Sequence, residues 1–194
     1  KIREFIKENN INNFFQEGIC HQVMVEKGFA MPGKIIVGAD SHTCTYGALG
    51  AFATGMGSTD IAAAYATGKS WFLIPSTFNV NVNGKLAKGV YAKDLILYIA
   101  RTIKAGGATY KALEFNGSTI ENFSISERMT LSNMAVEIGA KAGLIKTDEK
   151  TISFLKSITN EEIENIEAKN PAYEKEFDFD ASSIETQIAK PSRV

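Results

Sequence analysis

Cysteine is scarce in this 194-residue chain, which has only Cys20 and Cys44. Two thiols cannot make a multi-bridge disulfide scaffold, and they fall short of a four-cysteine metal site. They read most simply as reduced thiols of a cytoplasmic protein. Net charge is nearly missing too, since 21 basic and 22 acidic residues leave −1. That balance argues against broad binding to a nucleic-acid backbone. No apolar run is long enough to span a bilayer, and no signal-peptide pattern opens the chain. Internal repeats and low-complexity tracts are also lacking. Histidine is as rare as cysteine, with His21 and His42 the only two.

What is present is the material of a core. With 44% hydrophobic and 22% charged residues, the chain is expected to fold rather than stay disordered. Its length allows one domain or two small ones. It opens inside a helix-like stretch, Lys1 to Ile6, without Met, and stops at Pro191-Ser192-Arg193-Val194 just past a strand-like stretch. It therefore reads as a piece of a longer polypeptide.

Periodicity predicts an α/β chain. Residues 2–9 read as a short amphipathic helix and Asn12 to Phe15 as a strand. Gly18 to Glu26 is a short apolar–polar segment carrying His21, and Pro32-Gly33 marks a turn. Lys34 to Gly38 is a short β-branched strand of the buried type. Ser58-Thr59-Asp60 opens a helix over 61–67, closed by Gly68. Thr77 to Asn83 alternates Phe78, Val80 and Val82 with polar residues, the mark of a half-buried strand. Helices are expected over 92–104, 126–140, 148–157 and 160–168, and strands over 111–115, 144–146, 173–180 and 184–188. The change of pattern at Pro75 suggests a boundary between two α/β parts, 1–75 and 76–194.

Chemistry concentrates in Val37-Gly38-Ala39-Asp40-Ser41-His42-Thr43. A carboxylate, a hydroxyl and an imidazole follow one another just past a strand end, where open α/β sheets bind ligands. The plain structural reading is a turn or helix cap. A serine-hydrolase triad fits poorly, because neighbours on extended backbone point in different directions and no Gly-x-Ser-x-Gly elbow is present. Partners from elsewhere are expected instead. His42 needs a carboxylate, Asp40 needs a cation or a histidine, and His21 could pair with Asp40. The expected helix over 126–140 carries Asn133 and Glu137 at i and i+4, on one face. The glycines from Gly47 to Gly57 match neither dinucleotide nor P-loop spacing. They are expected to allow a tight turn and close packing.

Taken in order, these segments resemble the aconitase superfamily. The likeness runs from about residue 14 to 150. It includes Gly18-Ile19-Cys20-His21-Gln22, the Asp40-Ser41-His42 motif, Gly47-Ala48-Leu49-Gly50, Gly55-Met56-Gly57 and Ala92-Lys93-Asp94. It continues through Gly106-Gly107-Ala108-Thr109 to Met129-Thr130-Leu131-Ser132-Asn133-Met134-Ala135-Val136-Glu137-Ile138-Gly139-Ala140. Each piece alone is weak, and the ordered set is specific. It is most similar to large subunits of the 3-isopropylmalate dehydratase and homoaconitase group.

The resemblance implies a layered α/β/α iron–sulfur fold and a hydro-lyase that removes and re-adds water on a malate-type acid. It implies pairs of His21 with Asp40 and of His42 with Glu137, a substrate-carboxylate contact from Ser41, and an Asn133 that orients bound water. It also implies a 4Fe-4S cluster held by three cysteines. Those lie C-terminal to every motif here, so Cys20 and Cys44 are not assigned as ligands and no metal is expected on this chain. A small subunit is the implied partner and leucine biosynthesis the implied setting. An RNA-binding module is the reading from another class. Near-neutral charge and the lack of an aromatic–basic stripe weigh against it.

Overall fold

The computed structural model describes residues 1–166, 168 and 170–191. Helix α1 (Ile2–Glu8) is followed by irregular chain and then α2 (Cys20–Glu26). The strand expected over Asn12 to Phe15 is not formed, and those residues pair with no ladder. Strand β1 (Ile35–Gly38) leads into a 3-10 helix (Ser41–Leu49) and then β2 (Phe52–Gly55), which lies parallel to β1. Helix α3 (Ser58–Thr67) ends at Gly68 in the left-handed conformation that glycine adopts without a Cβ penalty.

The second half holds a four-stranded parallel sheet. Its strands are β3 (Thr77–Asn83), β4 (Ala112–Asn116), β5 (Ala142–Ile145) and β6 (Lys175–Asp180), in the order β5-β4-β3-β6. Parallel neighbours need crossover connections. Helix α4 (Ala92–Ile103) joins β3 to β4. Helices α5 (Ser118–Asn122) and α6 (Ile125–Met134), with a 3-10 turn (Ala135–Ile138), join β4 to β5. Helix α7 (Glu149–Lys156) follows β5.

The alternation in β3 sorts its side chains as expected. Phe78, Val80 and Val82 join the core with Leu95, Ile96 and Ile99 of α4. Each such side chain contributes roughly 2 kcal/mol of transfer free energy when fully buried. Asn79 and Asn81 face the other way and donate to Glu176 (3.1 Å) and Asp178 (2.8 Å) on β6. A second core gathers Val25, Met31, Tyr46, Leu49 and Ala53 with Leu155 of α7. The two sheets lie on either side of Pro75, but this second core draws on both halves of the chain.

Three further expectations are corrected. The helix expected over 126–140 begins at Ile125, capped by Ser124 and Glu127, and tightens to a 3-10 turn at Ala135 before Gly139. The strand expected over 184–188 does not form, because the Gln187 N–H donates to Asp94 Oδ1 (2.7 Å) rather than to a ladder. The helix expected over 160–168 is absent from 160–166 and 168, and residue 167 lies outside the described residues. Ile163 instead packs against the second core from irregular chain.

Candidate functional site

Asp40 follows the end of β1, and the chain turns there into the 3-10 helix rather than continuing extended. Its Oδ1 accepts the His42 backbone N–H at 2.7 Å, so Asp40 is the cap of that helix. The turn also corrects the expectation that Asp40, Ser41 and His42 point apart. Ser41 Oγ lies 3.4 Å from His42 Nδ1, and Asp40 Oδ1 lies 3.7 Å from the same nitrogen. Both are too long for the tight relay a serine nucleophile needs.

The turn is possible because glycines surround it. A Cβ on Gly55, at the end of β2, would stand 2.7 Å from Asp40 O and 2.8 Å from Ser41 Cα. A Cβ on Gly47 would stand 1.9 Å from the Gly143 carbonyl oxygen of β5. The 3-10 helix therefore lies directly against the second sheet, and this close approach brings distant residues to the motif.

Two imidazole–carboxylate pairs result. His21, on the first turn of α2, places Nε2 at 2.9 Å from Asp40 Oδ1. His42 places Nε2 at 3.3 Å from Glu137 Oε1, in the 3-10 turn after α6. The ring centroids of the two histidines are 6.5 Å apart. The hydrogen bond from the His42 backbone N–H holds the Asp40 carboxyl below its ordinary range; burial opposes this, and His21 adds to the lowering. Asp40 is thus an anion in the neutral pH range, able to take a proton or to hold one on His21.

Asn133 is brought to the same place from α6. Its Nδ2 donates to Thr45 Oγ1 (2.8 Å), which donates to the His42 carbonyl (2.6 Å). A cavity of about 800 Å³ is lined by Asp40, Ser41, Lys69, Trp71 and Lys141. Another of about 590 Å³ is lined by His21, Thr45, Lys93 and Asn133. All six residues singled out in the sequence therefore line or adjoin one region.

Sequence reasoning missed Tyr46 and Thr45. Tyr46 is buried, and its hydroxyl lies 3.0 Å from His21 Nδ1. A buried tyrosine needs a partner for its hydroxyl, but the burial of Tyr46 follows from the fold and no local sequence pattern marks it.

The cysteines do not form a cluster site. Cys44 is buried, its thiol donates to the carbonyls of Ser41 and Asn133, and burial pushes its pKa up to about 11. Cys20 is exposed. Among the described residues, no three His, Cys, Asp or Glu side chains converge as a metal-ligand set. A three-thiolate cluster does not fit the donors of this chain.

Parallel strands with crossover helices define an α/β protein, and two imidazole–carboxylate pairs meet beyond one of its strand ends. The sequence matches the aconitase family (aconitate hydratase) over residues 1–194, and the chain belongs to that family. It is 54% identical to a probable methanogen homoaconitase large subunit of Methanosarcina mazei, across 100% of this chain and 50% of that protein. It is 52% identical to 3-isopropylmalate dehydratase large subunit 1 of Methanopyrus kandleri, across 98% of this chain and 46% of that one. The corresponding protein of Thermotoga maritima is 53% identical across 100% of this chain and 47% of its own length. The chain spans about half the length of the curated relatives it matches.

Proposed function

We propose that this chain forms about half of the large subunit of a 3-isopropylmalate dehydratase, a hydro-lyase that interconverts 2- and 3-isopropylmalate by dehydration and rehydration. The observation that carries this is the pair of contacts His21–Asp40 and His42–Glu137 around Ser41, in a chain of the aconitase family. In dehydration a hydroxyl leaves with a proton as water. An imidazole paired with a carboxylate can supply that proton and recover it in the reverse direction. Ser41 lines the larger cavity and would bind a substrate carboxylate. Asn133, anchored through Thr45, would orient the water.

The cluster ligands and the base that removes the carbon-bound hydrogen then lie outside this chain, in the rest of the large subunit or in a small partner subunit. We place the complete enzyme in the cytoplasm, where it would serve leucine biosynthesis. The change of sheet at residue 75 is proposed as a boundary between two aconitase-type parts. Similarity to a protein named homoaconitase keeps that substrate as the second reading. Turnover assays of the complete two-subunit enzyme on isopropylmalate and on homoaconitate decide between them. No turnover of either acid would remove the proposal.

A further inference from the structure

The two imidazoles of the site are not held alike. His42 has long contacts at both nitrogens, 3.4 Å to Ser41 Oγ and 3.3 Å to Glu137 Oε1. His21 is gripped at both, at 2.9 Å by Asp40 and at 3.0 Å by the Tyr46 hydroxyl. The chemistry of these partners fixes where the protons sit. An ionised carboxylate only accepts, so His21 Nε2 must carry a hydrogen to bond Asp40. A neutral imidazole then has a bare lone pair at Nδ1, which needs a donor. The buried phenol is that donor. Tyr46 is 4% exposed, and burial pushes its ionisation up, so it keeps its proton.

We propose that Tyr46 is a positioning residue for His21. Its O–H donates to Nδ1 and holds the ring as the Nε2–H tautomer aimed at Asp40. The role is defined by geometry, and its consequence for turnover rests on the proposed proton transfer through the His21–Asp40 pair. Tyr46 comes from the 3-10 helix that Asp40 caps, so one short segment supplies both partners of the histidine. The rings of His21 and Tyr46 also meet at 5.7 Å between centroids, which limits swinging of the imidazole.

Tyr46→Phe keeps the ring and removes only the hydroxyl. The test is the imidazole nitrogen spectrum of the 15N-histidine-labelled large subunit, with His21 assigned by His21→Gln. The expected wild-type spectrum shows a protonated Nε2 and a bare Nδ1 that accepts a hydrogen bond. In Tyr46→Phe the Nδ1 signal moves to the position of an unbonded nitrogen. In the complete enzyme kcat falls about tenfold, as for other residues that hold the second nitrogen of a working imidazole, with KM little changed. A proton found on Nδ1 in the wild type overturns the proposal, and this arm stands even if the variant fails to fold. So does an Nδ1 signal unchanged by the substitution. A shifted signal with normal kcat supports the hold on the ring and overturns only the proton-transfer reading of the pair.

Discussion

His42 and Glu137 are 95 residues apart in the chain, yet Nε2 of one lies 3.3 Å from Oε1 of the other. The contact exists because the 3-10 helix of His42 presses against α6 and β5, where the missing side chain of Gly47 leaves room for the Gly143 carbonyl. If the pair handles a proton in the transition state, removing either member must show in kcat. In the complete enzyme His42→Ala is expected to lower kcat by roughly 10²- to 10⁴-fold, with a smaller rise in KM. The double variant with Glu137→Gln should be little worse than His42→Ala alone, because the two residues share one interaction. Asn133→Ala should act in the same direction but less severely. Steady-state kinetics on the purified variants check this, and an unchanged kcat in His42→Ala would refute the assigned role.

Arg128 gives a second prediction, about stability. It is 1% exposed and donates to Asp148 at 2.9 Å through Nη1, with a second bond from Nη2. Burial alone would raise the Asp148 pKa. Hydrogen bonds from Arg128 and Thr151, with the Arg128 charge, outweigh it and bring the value down to about 2. The folded pKa is thus depressed below its ordinary 3.8. The stabilisation is therefore fully present above that ordinary value and is lost as pH falls through about 2. Asp148→Asn leaves the buried guanidinium without its counter-charge. With Asp148 partly exposed, the expected loss near neutral pH is about 2 kcal/mol. Urea titrations across pH should show the gap between wild type and variant narrowing in acid. A gap that stays constant down to pH 2 would contradict the account.

The reach of the sequence is clear from particular segments. Strand β3 was legible to its ends, because Phe78, Val80 and Val82 alternate with asparagines and one face of the sheet is apolar. Strand β2 was not. Its buried residues, Ala53 and Thr54, are small, so no alternation of large side chains marks it, and its pairing with β1 is non-local. The motif residues were visible as chemistry, and their partners were implied by family resemblance. Tyr46 was invisible as a partner because its hydroxyl meets His21 only after 3-10 winding and the docking of α2 bring them together. Local periodicity does not encode that meeting.

Close packing supplies a third prediction. Gly47→Ala would put a methyl group 1.9 Å from the Gly143 carbonyl oxygen, and backbone cannot yield as a flexible side chain does. The 3-10 helix would have to lift from β5, at a cost of about 3 kcal/mol. Because that helix carries His42 and Tyr46, the site should be lost with the packing. Gly55→Ala meets the Asp40 carbonyl oxygen at 2.7 Å and presses on the motif itself. Thermal melts and kcat together check both variants. A Gly47→Ala protein with wild-type melting would mean that the contact with β5 is looser than described.

The two cysteines should behave differently towards an alkylating reagent. The reactive form is the thiolate. Cys44 is buried, donates its thiol hydrogen to two carbonyls, and has its pKa raised to about 11, first by burial and then by the charges of Asp40 and Glu137. At pH 8 almost none of it is ionised, and the reagent has no path to it. Cys20 is exposed at the start of α2. Brief iodoacetamide treatment of the native protein at pH 8, followed by peptide mass mapping, should label Cys20 and leave Cys44 unmodified. After unfolding, both should react. Equal labelling in the native state would show that the 3-10 helix opens readily. The geometry of His42, Thr45 and Tyr46, held by that same helix, could then not be rigid enough to position a proton.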